Sequence, residues 1–188
     1  MVEITKYEYK MDNIRELFSE IMTDAQLEKL ERLEYFKTPA SSKHHLCKQG
    51  GLAEHSLNVC NTALNLNTSM NLGIPRNYIL MATLLHDLDK VAYYEENILK
   101  SGKQSDAQPY KYNPRIVLPH GAGAVYIAMN ELDMKLPLPV VTAISYHMSG
   151  FQEDFRTSVN SLVNHPVDMI LTWLIQVSDQ FATWITER

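Results

Sequence analysis

The chain has 188 residues, of which 45% are hydrophobic and 21% charged, with a formal net charge of −5. That length suits one ordinary domain with its own core and no need of disulfides, and the acidic balance disfavours broad electrostatic binding to nucleic acid or an anionic membrane. With only 7 glycines and 8 prolines, the composition argues against a loop-rich β-sandwich and for an all-α chain.

Residues 11–21 and 24–36 read as two amphipathic helices. Thr23 or Asp24 is the expected N-cap of the second, Leu27, Leu30, Leu33 and Phe36 form its apolar stripe, and Pro39 ends it. A polar loop, Ser41 to Gly51, follows; its closing glycine pair permits backbone to approach the mouth of the next helix. That helix, 52–67, carries Leu52, Val59, Ala63 and Leu66 largely on one side, with His55 one turn before Val59. After Gly73 and Pro75, a helix over 75–96 is apolar nearly all round between Ile79 and Leu88, the pattern of a central buried helix.

Residues 97–119 are polar, with three prolines and two tyrosines, and read as a long surface loop with room for a short hairpin. Helices are expected over 121–132, after Pro119-His120-Gly121, and over 140–148, ending on Tyr146-His147. Residues 149–164 read as a second polar loop. The last helix opens at Pro166, runs to 186 and carries Asp168 and Asp179. Its most apolar part, 167–185, contains Asp168, Gln176, Asp179 and Gln180, which makes it a poor membrane span. Cys47 and Cys60 lack zinc-finger or CxxC spacing and are expected to be free thiols in a reducing compartment. The N-terminus lacks the apolar core of a signal peptide, so the expected location is cytoplasmic.

His86-Asp87 is the anomaly. An imidazole beside a carboxylate in buried helix is costly unless both are hydrogen-bonded or bind a metal. His55, His120, His147 and Asp179 are the residues a helical bundle can bring to it. Each also has an ordinary reading: a satisfied core histidine for His55, a cap or carbonyl partner for His120 and His147, an exposed position for Asp179.

The stretch Gly50-Gly51-Leu52-Ala53-Glu54-His55-Ser56, then Leu85-His86-Asp87-Leu88-Asp89-Lys90, then Asp179, resembles the H…HD…D signature of the HD-domain metal-dependent phosphohydrolase superfamily. His120-Gly121 and Tyr146-His147-Met148 are similar to the two further histidines of members that hold a second metal. The resemblance covers residues 38–186. With His44-His45 upstream, it is most similar to the HD domains of bacterial and phage-associated hydrolases and exonucleases.

The resemblance implies an all-α, single-domain helical bundle of the HD-domain type, with a long loop between the central helix and the next. Residues 1–37 are expected as a helical extension packed on a domain of residues 38–188. It further implies that His55, His86, Asp87 and Asp179 bind a first divalent cation, and that His120 and His147, with Asp87 bridging, hold a second. The mixed nitrogen and oxygen set suits Mn, Fe, Co, Ni, Zn or Mg. The implied reaction is attack of a metal-activated water on phosphorus.

Lys90, three residues after Asp87, is expected in the same pocket as a catalytic and phosphate-binding cation. Lys43, His44 and His45 are candidates for substrate phosphate, with a solvated loop as the alternative. Lys111 and Arg115, with Tyr110 and Tyr112, form a basic-aromatic cluster suited to a base or a phosphate, against the alternative of a plain surface loop. Glu54 and Asp89 flank ligands and are candidates to orient them.

The expected partner is a small phosphorylated substrate, a nucleotide or a short single-stranded nucleic acid, without a membrane. The alternatives are a nucleotide-sensing HD module without turnover, and a helical interaction protein whose histidines are incidental.

Overall fold

A computed structural model describes residues 6–148, 162 and 164–187. Among these, the elements are α1 (Lys6–Ser19), α2 (Asp24–Arg32), α3 (Gly51–Ser69), α4 (Arg76–Leu85), a 3-10 helix (Leu88–Ala92), β1 (Tyr94–Glu96), β2 (Tyr110–Tyr112), α5 (Ala122–Asn130), α6 (Leu138–Tyr146), α7 (Pro166–Phe181) and a π-helical turn (Ala182–Thr186). The expected loop over 149–164 lies almost wholly outside the described residues. The architecture is all-α, with one two-stranded antiparallel hairpin pairing Tyr94 with Tyr112 and Glu96 with Tyr110.

α4 is the axis of the bundle, packed against α1, α3, α5, α6 and α7. Ile79, Leu80, Ala82, Leu84 and Leu85 are all buried on it, which matches its apolar circumference. Ile14, Phe18, Met22, Leu30 and Tyr35 from the first 37 residues share one hydrophobic cluster with Leu52, Leu57, Leu84 and Ile175.

Thr23 is the N-cap of α2 and forms a capping box: its hydroxyl accepts from the Gln26 N–H at 3.3 Å, while Gln26 Oε1 accepts from the Thr23 N–H at 2.9 Å. α2 stops at Arg32 and not at residue 36. Glu34 adopts φ 60, which swings Tyr35 inward, where its hydroxyl donates to Ser56 Oγ at 2.8 Å or to the Leu84 carbonyl at 3.0 Å. Burial of that ring, edge-on to Phe18 and Phe36, outweighs one further helical turn.

The expected helix over 75–96 is likewise shorter. The i→i+4 ladder of α4 ends at Leu85, and the chain tightens into three-residue turns in which Lys90 N donates to Asp87 O and Tyr93 N to Lys90 O, both at 3.0 Å. In a 3-10 helix residues three apart eclipse, which stacks Lys90 on Asp87 and turns Asp89 the other way. The hairpin then uses residues 94–96, so one strand precedes the expected loop.

The close approach at the Gly50-Gly51 pair is real: a Cβ on Gly51 would collide with the Leu46 carbonyl. Gly121, at φ 84, is a second such point, with a Cβ position 2.5 Å from the Ile144 carbonyl. It locks the start of α5 against the end of α6. No helix among the described residues is long and apolar enough to cross a membrane. Cys47 and Cys60 are free thiols.

Candidate metal centre

The bundle brings His55, His86, Asp87, His120, His147 and Asp179 together. α3 supplies His55, the end of α4 supplies His86 and Asp87, the turn before α5 supplies His120, the end of α6 supplies His147, and α7 supplies Asp179. His55, Asp87, His120, His147 and Asp179 line a cleft of about 430 Å³ with Lys90, His45, Tyr93, Tyr94, Tyr112 and Trp184. His86 is fully buried behind it.

Four imidazoles point the same nitrogen inward. His86 Nδ1 donates to the Thr83 carbonyl at 2.8 Å and His147 Nδ1 to the Ile144 carbonyl at 2.7 Å. His120 Nδ1 donates to Asp89 Oδ2 at 3.1 Å, and His55 Nδ1 to Glu187 Oε1 at 3.0 Å. Carbonyl and carboxylate oxygens accept only, so each Nδ1 carries the hydrogen and each Nε2 faces the cleft.

Asp87 sits where the four converge. Its Oδ2 lies 3.3 Å from His86 Nε2, 3.5 Å from His55 Nε2 and 2.6 Å from the Lys90 ammonium. Its Oδ1 lies 2.9 Å from His120 Nε2 and 3.9 Å from His147 Nε2. The two oxygens therefore face two donor sets, with Asp179 Oδ1 3.1 Å from His55 Nε2 on the first side.

Electrostatics follow from these contacts. Burial opposes ionisation of Asp87, yet Lys90 and the surrounding imidazoles hold its carboxyl well below the usual range. Asp179 is likewise lowered, against burial, by its hydrogen bond to His55. Burial disfavours charge on His55 and His120, but the bonds from Asp179 and Glu187 raise His55 to about 9, and those from Asp87 and Asp89 raise His120 to about 10. His147 is pushed down to about 4 by burial and by the neighbouring imidazoles, which oppose a further positive charge. Lys90 is raised, because Asp87 outweighs its burial.

These residues fit a divalent cation. The Nε2 atoms of His86 and His147 are buried with no hydrogen-bond partner, an uncompensated cost unless the lone pairs coordinate something. His55, His86 and Asp179 form one group whose ligand atoms lie within 4.8 Å of one another; His86, Asp87 and His147 form a second, and Asp87, Asp89 and His120 a third. Imidazole and carboxylate together suit transition metals such as Mn, Fe or Zn.

Other expected site residues fall elsewhere. Lys111 pairs with Glu95 at 2.7 Å, and Arg115 donates to the Val91 carbonyl at 2.7 Å; neither lines the cleft. Lys43 and His44 are exposed and also outside the lining, whereas His45 is in it. The hairpin explains the split: successive strand residues face opposite sides, so Tyr112 turns to the cleft and Lys111 away. Glu54 pairs with Lys48 at 2.7 Å. Asp89 is fully buried and accepts from the Tyr93 hydroxyl at 2.7 Å and from the Gly121 N–H at 3.3 Å as well as from His120.

Sequence reasoning missed Glu187 and the aromatic mouth formed by Tyr93, Tyr94 and Trp184. No local motif marks Glu187. The run Tyr93-Tyr94 was legible only as part of a helix, and the end of that helix before β1 is what brings both rings to the cleft.

The arrangement is that of a helical metal-binding domain. Residues 52–182 match the HD domain family, and the chain belongs to that family. The family includes metal-dependent phosphohydrolases, and its domains bind divalent metals. No curated protein and no solved structure matches the chain significantly.

Proposed function

We propose that the protein is a metal-dependent phosphohydrolase that cleaves a phosphomonoester or phosphodiester bond in a nucleotide or short oligonucleotide. The observation that carries the reading is the pair of buried, unpartnered Nε2 atoms of His86 and His147 on either side of Asp87. A bound divalent cation supplies Lewis acidity there: it acidifies water and offsets the charge on phosphate oxygens.

The chain's own residues supply the rest. Asp87 presents one oxygen to each donor set, so it would contribute to holding a cation on either side. The Lys90 ammonium, buried beside Asp87 and lining the cleft, meets the phosphate as a fixed positive charge. His45 extends that polar floor. Tyr94, Tyr112 and Trp184 offer ring faces at the mouth, suited to stacking a base. Burial of Asp87 and His86 restricts competing water at the floor.

A screen of nucleotides, dinucleotides and short oligomers for released phosphate or nucleoside, in Mn, Ni, Co, Zn and Mg, tests the reading. Asp87→Ala is expected to abolish turnover and lower metal content with the helical circular dichroism retained. Full activity in that variant overturns the assignment. Metal-loaded protein inert across the panel assigns the site to sensing.

A further inference from the structure

The Glu187 side chain is as buried as that of the histidine it touches. It is 1% exposed, and its two oxygens lie 3.0 and 3.1 Å from His55 Nδ1. Asn58 Nδ2, three residues along α3 from His55, donates to Oε1 at 3.0 Å and braces the carboxylate. His45 Nε2 lies 3.9 Å from Oε2. The residue lies beyond the stretch 52–182 that matches the family.

We infer that Glu187 is a positioning residue of the metal centre, whose carboxylate fixes the tautomer and ring plane of His55. The inference rests on the metal-site reading above. The argument begins with the other three imidazoles. His86 and His147 are held by backbone carbonyls, which no substitution removes, and His120 is held by the buried Asp89. His55 has no carbonyl in that role, and the acceptor at its Nδ1 is Glu187. Without it, a buried Nδ1–H would lie unbonded, and nothing would choose which nitrogen keeps the lone pair.

The element that carries Glu187 strengthens the point. α7 places Asp179 against His55 Nε2, and the π-helical turn Ala182–Thr186 that continues it delivers Glu187 to Nδ1. One run of chain grips both sides of the same ring. Widened turns of this kind recur where a helix must re-aim a functional side chain. The carboxylate also reaches toward the loop bearing His45, so the ring, the loop and the end of α7 share one anchor.

The test is manganese binding by the full chain, measured by titration calorimetry and by elemental analysis, for wild type, His55→Ala, Glu187→Ala and Glu187→Met. His55→Ala identifies the manganese equivalent that depends on that ring. Glu187→Ala is expected to weaken this equivalent about 10–100-fold, the usual cost of losing the group that orients a metal-bound histidine. Any other equivalent keeps its affinity.

A purely structural role would lower the unfolding temperature of the metal-free protein without that selective loss. Wild-type manganese affinity in folded Glu187→Ala overturns the inference. Should the alanine variant fail to fold, Glu187→Met, similar in size and lacking the carboxylate, carries the same two outcomes. A wild-type protein that binds none of manganese, cobalt, nickel and zinc refutes the metal-site reading itself, which separates the two failures; if another of these ions binds where manganese does not, the same variants are compared with that ion.

Discussion

Before a cation arrives, protons hold the centre together. His55 and His120, raised to about 9 and about 10, are both charged near neutral pH, whereas His147, at about 4, is not. Both raised imidazoles direct Nε2 at a carboxylate, so a cation that takes either nitrogen must displace its proton. On the proposed reading, each cation position would therefore release one proton, from His55 on one side of Asp87 and from His120 on the other.

One proton displaced makes affinity rise tenfold per pH unit, about 1.4 kcal/mol, wherever the metal-free group stays protonated. Between about pH 6 and about pH 8 manganese affinity should rise roughly a hundredfold at each position. Titration calorimetry in two buffers of different protonation enthalpy reads the released protons directly. Equal affinity at both ends of that range, with heats independent of buffer, refutes the reasoning.

Gly121→Ala places a methyl 2.5 Å from the Ile144 carbonyl at a backbone of φ 84, and should cost about 1–3 kcal/mol, seen as a lowered unfolding temperature and weaker manganese binding through the displaced His120. Unchanged values for both would show that α5 and α6 adjust freely. Metal-free protein should be most stable slightly below neutral pH. The raised His55 and His120 contribute fully below their unfolded value of about 6.5, and that contribution fades as pH climbs through about 9 and about 10. The lowered His147, Asp87 and Asp179 contribute above their unfolded values, and their share is lost as pH falls from about 6.5 through about 4 and below. A flat profile of unfolding temperature against pH across that range would contradict both assignments.

Much of the fold was legible because its signals are local. Thr23 and Gln26 sit three apart, as a capping box requires, and Pro166 opens α7 as its missing N–H allows. The buried circumference of α4 shows in sequence as apolar residues without a polar face. Helix ends were less legible. Nothing between Leu85 and Glu96 is a glycine or proline, so the break at His86-Asp87 has no breaker to announce it. It is held by the bonds that Asp89 accepts, one from Tyr93 four residues on and two from across the fold, from Gly121 and His120.

The candidate donors followed from residue type and from the order His55, His86-Asp87, His120, His147, Asp179 along the chain. Sequence alone determined which side chains have lone pairs for a cation, and that they lie on successive helical segments whose apolar faces must pack together. Only the tertiary structure decided how they meet. His86 and His147 turn Nε2 inward through local bonds from Nδ1 to the carbonyl three residues back, but the fold had to bring Glu187 to His55 and Asp89 to His120, and it set the two oxygens of Asp87 toward different donor sets. It also left Lys111 and Arg115 outside the cleft while bringing in Tyr94, Trp184 and Glu187. Those outcomes depend on contacts between residues as far apart as His55 and Glu187, and no periodicity or local motif encodes a hydrogen bond across that separation.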